Sequence, residues 1–352
     1  MKINITIKPS FVHTFLGVVT GLVLFLLTFG VEQYYRYHVS NFRSLDGKEH
    51  HYYIYPDVSI DSVLNMVRED YEISGELDLR WHMRLKVFTE TKPGYYVFPE
   101  KMGDKLFITK LQTGDQTPIQ IKWTNMVRTR EELAGIVASQ LMLDSLDMIE
   151  RLSSDEYMAE YDLTGESSRC LFIPNTYEVY WTISPDELFR RMDEEYRAFW
   201  TEERRLKAEA QGLTPTQVAI IASIVECETY IPRDMPTVAS LYINRLHKGM
   251  PLQACPTVIY AVGDFSLKRV LKSHLKVESP YNTYQNKGLP PGPIRCPLPR
   301  TMDHVLNAPK TDYLYMCANP SLDGTHIFSS SYGTHTSAAR NYQRMMNKKG
   351  IK

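Results

Sequence analysis

The sequence predicts an α+β protein with an N-terminal transmembrane helix, a small βααβ module and a larger mixed domain. A single long apolar run lies near the N-terminus, and short strand-like segments then alternate with helices that carry clear N-cap patterns. The net charge is −1, with 43% hydrophobic and 23% charged residues. These shares are typical of a globular protein, and the missing basic excess argues against a nucleic-acid-binding role.

The apolar run covers residues 11–31 and is predicted to cross a membrane once, because about 20 apolar residues span the hydrocarbon core. A cleaved signal peptide has a shorter apolar region and a small-residue cleavage site, whereas this run continues into Glu32 without such a site. We therefore predict an uncleaved anchor, with the core helix of a soluble domain as the alternative. Lys2 and Lys8 favour a cytoplasmic tail at residues 1–10, which leaves the rest of the chain outside the cytoplasm.

The range 48–122 is predicted to form the small module, after a polar tether at 41–51. Ser59 is the expected N-cap of its first helix, and Pro93-Gly94 is expected to turn the chain into a strand. The predicted elements are a strand at 51–55, helices at 59–69 and 77–87, a strand at 95–98, a helix at 104–112 and a strand at 119–123. The first four have the strand–helix–helix–strand layout of a LysM-like module.

The range 123–349 is predicted to form the larger mixed domain. N-cap patterns begin helices at Thr129, Ser184 and Thr214. The first of these helices is expected to end near Leu141, and the second is expected to pass Arg204 and to be largely exposed because it is rich in charge. The third is apolar on nearly every face over 218–225, which predicts a helix buried in a core. The region after residue 250 is rich in Pro and Gly, which predicts loops and short strands around a cleft.

The buried helix ends in Glu226-Cys227-Glu228, and Glu226 is the main candidate for an acid/base residue. Burial and the negative end of a helix both disfavour an ionised carboxylate, so a group placed there keeps the proton that general acid catalysis needs. Positions 226 and 228 lie about 200° apart around a helix, so only one of them can face a cleft squarely. The alternative is a helix that emerges into solvent with both carboxylates on its exposed end.

Neutral polar and aromatic side chains that suit a sugar cleft follow this helix. Amides and hydroxyls supply neutral donors and acceptors, and a tyrosine ring stacks on the CH groups of a sugar. The candidate substrate-binding residues are Gln253, Tyr260, Tyr281, Asn282 and Thr283, and the secondary candidates are Glu228, Asn244 and His326. Taken singly, each of these residues is more readily explained as part of a surface that binds nothing.

Neither the histidines nor the cysteines have the spacing of a metal site. His304, His326 and His335 form no H-x-x-x-H or H-E-x-x-H pattern, and the five cysteines contain no C-x-x-C pair. We therefore expect no metal. Outside the cytoplasm one or two disulfides are possible, and an odd number of cysteines leaves at least one thiol unpaired.

Several motifs occur together and in order, and their combination resembles the endolytic murein transglycosylase family (MltG/YceG-like). They are Ala-Ser-Ile-Val-Glu at 222–226 with Glu228-Thr229, Tyr-Ile-Asn-Arg-Leu at 242–246, Leu-Gln at 252–253 with Pro-Thr-Val-Ile-Tyr at 256–260, Tyr-Asn-Thr-Tyr at 281–284, and Gly-Leu-Pro-Pro-Gly-x-Ile at 288–294. Further motifs extend the resemblance over most of the chain: Lys-Pro-Gly-Tyr-Tyr at 92–96, Phe-Ile-Pro-Asn-Thr-Tyr at 172–177, and His-Ile-Phe at 326–328 with His335.

The resemblance implies a reaction. Members of this family cleave the β-1,4 bond between N-acetylmuramic acid and N-acetylglucosamine within peptidoglycan strands, and they leave a 1,6-anhydro end. Glu226 matches the family's catalytic glutamate, which would protonate the leaving oxygen and then take the proton of the sugar's own C6 hydroxyl. That tethered hydroxyl has a high effective molarity and replaces the second carboxylate of an ordinary glycosidase. No metal or organic cofactor is implied.

The resemblance also implies a location and partners. The anchor would lie in the inner membrane, with the bulk of the chain in the periplasm. The partners would be peptidoglycan glycan strands and the peptidoglycan synthases whose nascent strands the enzyme would terminate. The chain departs from the family at Cys255 and Asn175, which replace aspartates, and at Cys227, which replaces a long polar residue. Because the two replaced aspartates would be acids near Glu226, their loss means that the resemblance predicts neither the pH optimum nor the rate of the reaction.

Two other classes of protein remain as alternatives. One is a non-catalytic, membrane-anchored scaffold that binds peptidoglycan, and the other is a metal-dependent amidase of the cell envelope. Replacement of Glu226 by Gln distinguishes the scaffold from the enzyme, because an enzyme would stop releasing anhydro-muropeptides while a scaffold would be unaffected. Sensitivity to chelators and the release of free peptide stems would mark the amidase.

Overall fold

The computed structural model of the protein describes residues 9–348, which divide into two compact units. The first unit runs up to Ile119 and also includes Glu178–Thr182, and the second comprises Gln120–Tyr177 and the chain from Ile183 onwards. Both units combine helices with short strands, which confirms the predicted mixed α+β class. The predicted domain ranges 48–122 and 123–349 and the resemblance of the first to LysM stay predictions; residue 349 lies outside the described part of the chain.

The N-terminal helix, α1 (Pro9–His38), extends past the predicted span of 11–31 at both ends. Within residues 9–348 it is the one helix that is long and apolar enough to cross a membrane, and its apolar side chains, such as Leu24 and Phe25, are exposed. A membrane anchor and a signal sequence both fit such a helix. The predicted cytoplasmic tail at 1–10 lies outside the described residues except for Pro9 and Ser10, which belong to α1.

The first unit contains five short strands and three helices after α1. They are β1 (Phe42–Ser44), β2 (His50–Ile54), α2 (Ile60–Asp70), β3 (Tyr71–Ile73), α3 (Glu76–Leu85), β4 (Gly94–Phe98), β5 (Lys101–Met102) and α4 (Asp104–Thr113). Strand β2 pairs with β4, and β1 pairs with both β3 and β5, all antiparallel. The predicted strands and helices of the module are therefore present, and β1, β3 and β5 add a second, three-stranded sheet.

The prediction of a polar tether at 41–51 is wrong, because this segment is part of the folded unit. Asn41 and Phe42 are buried, and the Asn41 amide donates to the backbone carbonyl of Gly75 (3.0 Å) and to the carboxylate of Asp104 (2.7 Å). Phe42 stacks on Phe107, with ring centroids 4.8 Å apart, in the core of the unit. The chain thus passes from α1 into the sheet within a few residues.

The second unit is mainly helical. Its elements are β6 (Ile119–Lys122), α5 (Arg130–Ala138), α6 (Ser145–Ser153), α7 (Asp155–Ala159), β7 (Thr176–Val179), α8 (Pro185–Phe199), α9 (Glu202–Ala210), α10 (Pro215–Glu228), α11 (Met235–His247), α12 (Cys255–Val262), α13 (Pro299–Leu306), β8 (Tyr315–Ala318), β9 (His326–Ser329) and α14 (Tyr332–Lys348). Strands β6 and β7 lie where the chain passes from one unit to the other, so Ile119 of β6 and Glu178 and Val179 of β7 belong to the first unit. Strand β8 pairs with β9 antiparallel.

Two predictions for this unit are corrected. The helix that begins after Ser184 does not pass Arg204: α8 ends at Phe199, the buried Trp200 breaks the helix, and α9 begins with its own N-cap. The region after residue 250 contains α12, α13 and α14 as well as loops and strands. Pro256 and Pro299 lie in the first turns of α12 and α13, where proline is tolerated because the missing N–H would have no partner in the helix.

Helix α10 confirms the prediction of a buried helix. The Thr214 hydroxyl accepts from the backbone N–H of Gln217 (3.2 Å), and the Gln217 side chain accepts from the N–H of Thr214 (2.9 Å), which completes a capping box. All residues from Val218 to Val225 are buried, and the helix packs against α11, α12 and α13. This packing positions the last turn of α10, which carries Glu226.

Candidate active site

Glu226 lines a pocket of about 240 Å³ that is built entirely from the second unit. The lining residues are Arg128, Glu226, Cys227, Pro256, Ile259, Tyr260, Phe265, Leu267, Ile294 and Arg295. They come from the segment before α5, the end of α10, helix α12 with the loop after it, and the loop before α13. The pocket combines apolar walls with one carboxylate and two guanidinium groups.

Two donors hold the Glu226 carboxylate in the pocket. The Asn125 amide donates to Oε2 (2.9 Å), and the backbone N–H of Leu298 donates to Oε1 (2.7 Å). Each carboxylate oxygen can accept more than one hydrogen bond, so the group keeps acceptor capacity for a ligand. This arrangement favours a carboxylate in a cleft over the alternative of a helix end in open solvent.

Glu228 faces away from this pocket. Its Oε1 accepts a hydrogen bond from the Tyr242 hydroxyl (2.7 Å). Burial raises the pKa of Glu228 to about 7, although the hydrogen bond from Tyr242 and the charge of Arg245 act in the opposite direction. Glu228 is not among the residues that line the Glu226 pocket, as expected for two positions about 200° apart on a helix.

Tyr260 lines the pocket and is held by Tyr281, which the sequence analysis named, and by Arg169, which it did not. Its hydroxyl accepts from the guanidinium of Arg169 (3.0 Å), whose side chain is buried, and its ring lies 4.5 Å from the ring of Tyr281. The Tyr281 hydroxyl donates to the carboxylate of Glu166 (2.7 Å). The buried arginine is visible in the sequence only as one charged residue beside Cys170, and no local pattern marks it.

The side chains of Asn282 and Thr283 are engaged within the protein. The buried Asn282 amide donates to the backbone carbonyls of Leu275 (3.1 Å) and Val277 (2.8 Å). The Thr283 hydroxyl, also buried, lies 2.8 Å from the hydroxyl of Thr257 in the first turn of α12. These contacts hold the loop before the Pro-Pro-Gly segment in place against α12.

The other predicted site residues lie outside the lining of the Glu226 pocket. Gln253 is exposed with a φ of 52°, and its side-chain oxygen accepts from Arg245 (3.4 Å). Asn244 donates to two backbone carbonyls in the segment before β8. The ring Nδ1 of His326 lies 3.3 Å from the carboxylate of Asp234. The structure therefore brings Tyr260 together with Glu226 in one pocket, and it leaves Gln253, Asn244 and His326 outside the lining of that pocket.

All five cysteines are free, so the part of the chain that the structure describes contains none of the disulfides that the sequence left possible. Cys227 lines the pocket beside Glu226, and burial raises the pKa of its thiol to about 11. The Cys255 sulfur lies 3.3 Å from the Tyr284 hydroxyl. Asn175 is exposed. Within residues 13–348 there is no group of three or more His, Cys, Asp or Glu side chains arranged to hold a metal ion.

Known proteins resemble this chain over most of its length. The model of the YceG-like family matches residues 52–341. A Bacillus subtilis (strain 168) protein named endolytic murein transglycosylase is 26% identical over 310 residues, which cover 83% of this chain and 84% of that protein. A Streptococcus pneumoniae (strain D39) protein of the same name is 25% identical over 293 residues. That match covers 72% of this chain and 51% of the pneumococcal protein, so this chain spans about half the length of that relative.

The crystal structure of a yceG-like protein from Listeria monocytogenes has a similar fold. Its TM-score is 0.55 at 25% sequence identity, and the match covers 82% of this chain and 98% of that one. The matched range of the family model, 52–341, is well over half of the 352 residues and includes α10 and the whole pocket. The chain therefore belongs to the YceG-like family.

Proposed function

We propose that this protein is an endolytic peptidoglycan lytic transglycosylase in which Glu226 is the acid/base residue. One observation carries the proposal: the glutamate that matches the family's Val-Glu-x-Glu motif is also the carboxylate that lines the pocket of the second unit. The relatives from Bacillus subtilis and Streptococcus pneumoniae, both named endolytic murein transglycosylase, support the reaction class.

The reaction proceeds in two proton transfers on one carboxyl group. Protonated Glu226 donates its proton to the oxygen of the β-1,4 bond, and the bond from this oxygen to C1 of N-acetylmuramic acid breaks, which releases the N-acetylglucosamine 4-hydroxyl. The C6 hydroxyl of the same N-acetylmuramic acid then bonds to C1 and gives its proton to the Glu226 carboxylate. The product is a 1,6-anhydro end, no water is added, and Glu226 returns to its starting state. Because the attacking hydroxyl is tethered to the reacting ring, no second catalytic carboxylate is required.

The other site residues have supporting roles in this proposal. Asn125 and the N–H of Leu298 orient the Glu226 carboxylate. The ring of Tyr260 forms a wall against which a sugar ring can pack. Gln253 is a candidate for contacts with a more distant sugar of the strand. We assign Tyr281, Asn282 and Thr283 to holding the wall and its loop, since their polar atoms contact protein groups.

The location in the proposal follows from α1. We propose that α1 is an uncleaved anchor in the inner membrane and that the second unit acts in the periplasm on nascent glycan strands. Its partners are then the peptidoglycan synthases that make those strands, and cleavage terminates their elongation. The exposed apolar surface of α1 supports membrane insertion of this helix.

Mass spectrometry of the products tests the proposed reaction. The full chain, purified in detergent, is incubated with purified glycan strands, and the products are examined for 1,6-anhydro ends. We expect Glu226→Gln to lower their release by at least about 100-fold, because general acid–base catalysis contributes that much or more. The matched control is Glu209→Gln, which removes an exposed carboxylate on α9 of the same unit and should not affect release.

The same products separate the alternatives. A binding scaffold would retain strands without releasing anhydro ends, with or without Glu226. A metal-dependent amidase would release free peptide stems and would lose activity in the presence of a chelator. Equal release of anhydro ends by the original chain and Glu226→Gln would contradict the assigned role of Glu226.

A further inference from the structure

The Glu226 pocket contains two arginines, Arg128 and Arg295, that the proposed reaction does not use. Both side chains are half-buried. The Arg128 guanidinium lies over the ring of Phe265, with its Cζ 4.7 Å from the ring centroid. The Nε of Arg295 is buried and has no hydrogen-bond partner among the described residues. A buried donor on a charged group is costly to leave unpaired, and a ligand that enters the pocket would supply the missing partner.

Backbone pairing brings the two arginines to one place. The N–H of Cys296 donates to the carbonyl of Val127 (2.9 Å), so the segment before α5 runs beside the loop before α13. Arg128 and Arg295 are the immediate neighbours of these two residues. The charges of both arginines oppose the rise in the pKa of the Cys227 thiol that burial causes, which places both charges near the residue that follows Glu226.

The described part of the chain supplies no carboxylate partner for either arginine. Within residues 13–348 neither guanidinium lies within 4.0 Å of an Asp or Glu carboxylate oxygen, whereas Arg130, on the same segment as Arg128, lies 3.6 Å from Glu166. Both oxygens of the Glu226 carboxylate already accept from Asn125 and from Leu298. The pocket therefore presents two positively charged guanidinium groups, each with N–H donors, to a ligand that enters it.

We propose that Arg128 and Arg295 form a carboxylate-binding subsite that recognises the acidic group of the muramic acid branch of the strand. This inference rests on the proposed function. N-acetylmuramic acid differs from N-acetylglucosamine by a lactyl group, and the guanidinium fork of arginine matches a carboxylate in a bidentate manner. In a strand without a stem the carboxylate is that of the lactyl group; where a peptide stem is attached, the lactyl carboxyl is bound in an amide and the carboxylate is one carried by the stem.

Binding measurements with three ligands test the subsite. The full chain carrying Glu226→Gln is used in detergent so that no strand is cut. The ligands are strands with peptide stems, strands stripped of stems, in which the lactyl carboxylate is free, and chitin oligosaccharides, which carry no carboxylate. We expect Arg295→Gln and Arg128→Gln each to weaken binding of the acidic ligand by about 10- to 100-fold, typical of a hydrogen bond to a charged group, and to leave chitin binding unchanged.

The matched control is Arg300→Gln, an exposed arginine on α13 that should change none of the three affinities. A loss with stripped strands alone assigns the lactyl carboxylate, a loss with stem-bearing strands alone assigns a carboxylate of the stem, and a loss with both shows that the subsite accepts either carboxylate. An equal loss with chitin, or no loss with any ligand, would overturn the proposal.

Salt dependence provides a second test that needs no arginine variant. Binding of the acidic strands should weaken as the salt concentration rises, while chitin binding should not. Equal salt dependence for the three ligands would refute the subsite even if an arginine variant failed to fold. Failure of the proposed function is distinguishable from failure of the subsite. If the proposed function is wrong, the chain that retains Glu226 releases no anhydro products, whatever its affinities for the three ligands are.

Discussion

The carboxyl of Glu228 makes the stability of the second unit depend on pH in a direction that can be worked out. Burial raises its pKa from 4.5 to about 7. A carboxyl with a raised pKa in the folded state stabilises the fold while it is protonated. That contribution is complete below about pH 4.5 and is lost as the pH rises through about 7. The total loss in the free energy of unfolding from below pH 4.5 to above pH 7 is about 3 kcal/mol, at about 1.4 kcal/mol for each unit by which the pKa is raised.

The perturbation is Glu228→Gln, because the amide oxygen still accepts from the Tyr242 hydroxyl and carries no charge. Urea unfolding of both chains is measured at pH 5 and at pH 8 through the fluorescence of Trp123 and Trp200, which belong to the second unit. The difference in the free energy of unfolding between the variant and the original chain is taken at each pH, because the contributions of the other titrating groups cancel in that difference. Between pH 5 and pH 8 we expect the free energy of unfolding of the variant to rise by about 2–3 kcal/mol relative to that of the original chain, since part of the loss has already occurred at pH 5.

A relative stability that stays the same at both pH values would refute this reasoning. It would mean that Glu228 is ionised at little cost, with water or Arg245 compensating its charge. A variant that is less stable at pH 8 than at pH 5, relative to the original chain, would show that the ionised form stabilises the fold.

Two further predictions follow from contacts near the pocket. Asn282→Ala should lower the free energy of unfolding by about 2–4 kcal/mol, because two backbone carbonyls lose a buried donor; denaturant unfolding measures it, and an unchanged stability with a raised KM would instead indicate contact with the sugar. Cys227 should react slowly with iodoacetamide at pH 7 and faster as the pH approaches its pKa of about 11, because the thiolate is the nucleophile; mass spectrometry of the modified chain follows the rate, and rapid modification at pH 7 would contradict the neutral thiol.

The starts of helices were predictable from the sequence because capping is local. The patterns at Thr129, Ser184 and Thr214 each form a capping box in the structure, and each involves residues only three positions apart. The end of α8 was not predictable in the same way. The helix breaks where Trp200 turns into the core, and the cap of α9 at Thr201 is hidden in a long charged run.

The second sheet of the first unit was missed for a different reason. Strands β1 and β3 have three residues each, too few to show an alternating pattern. Phe42 pairs with Ile73 in one neighbour and with Met102 in the other. Such strands form because distant segments pair with them, so the polar sequence around Asn41 by itself predicts a tether where the structure has a strand.

By itself, the sequence determined that α10 is a buried helix and that Glu226 lies in its last turn. Both follow from the residue types in one continuous segment. Only the tertiary structure decided which groups surround the Glu226 carboxylate. Asn125 lies 101 positions before it and Leu298 lies 72 positions after it. Periodicity shows which residues share one face of a helix, but a pocket assembled from four segments depends on how the helices pack, and no local pattern encodes that.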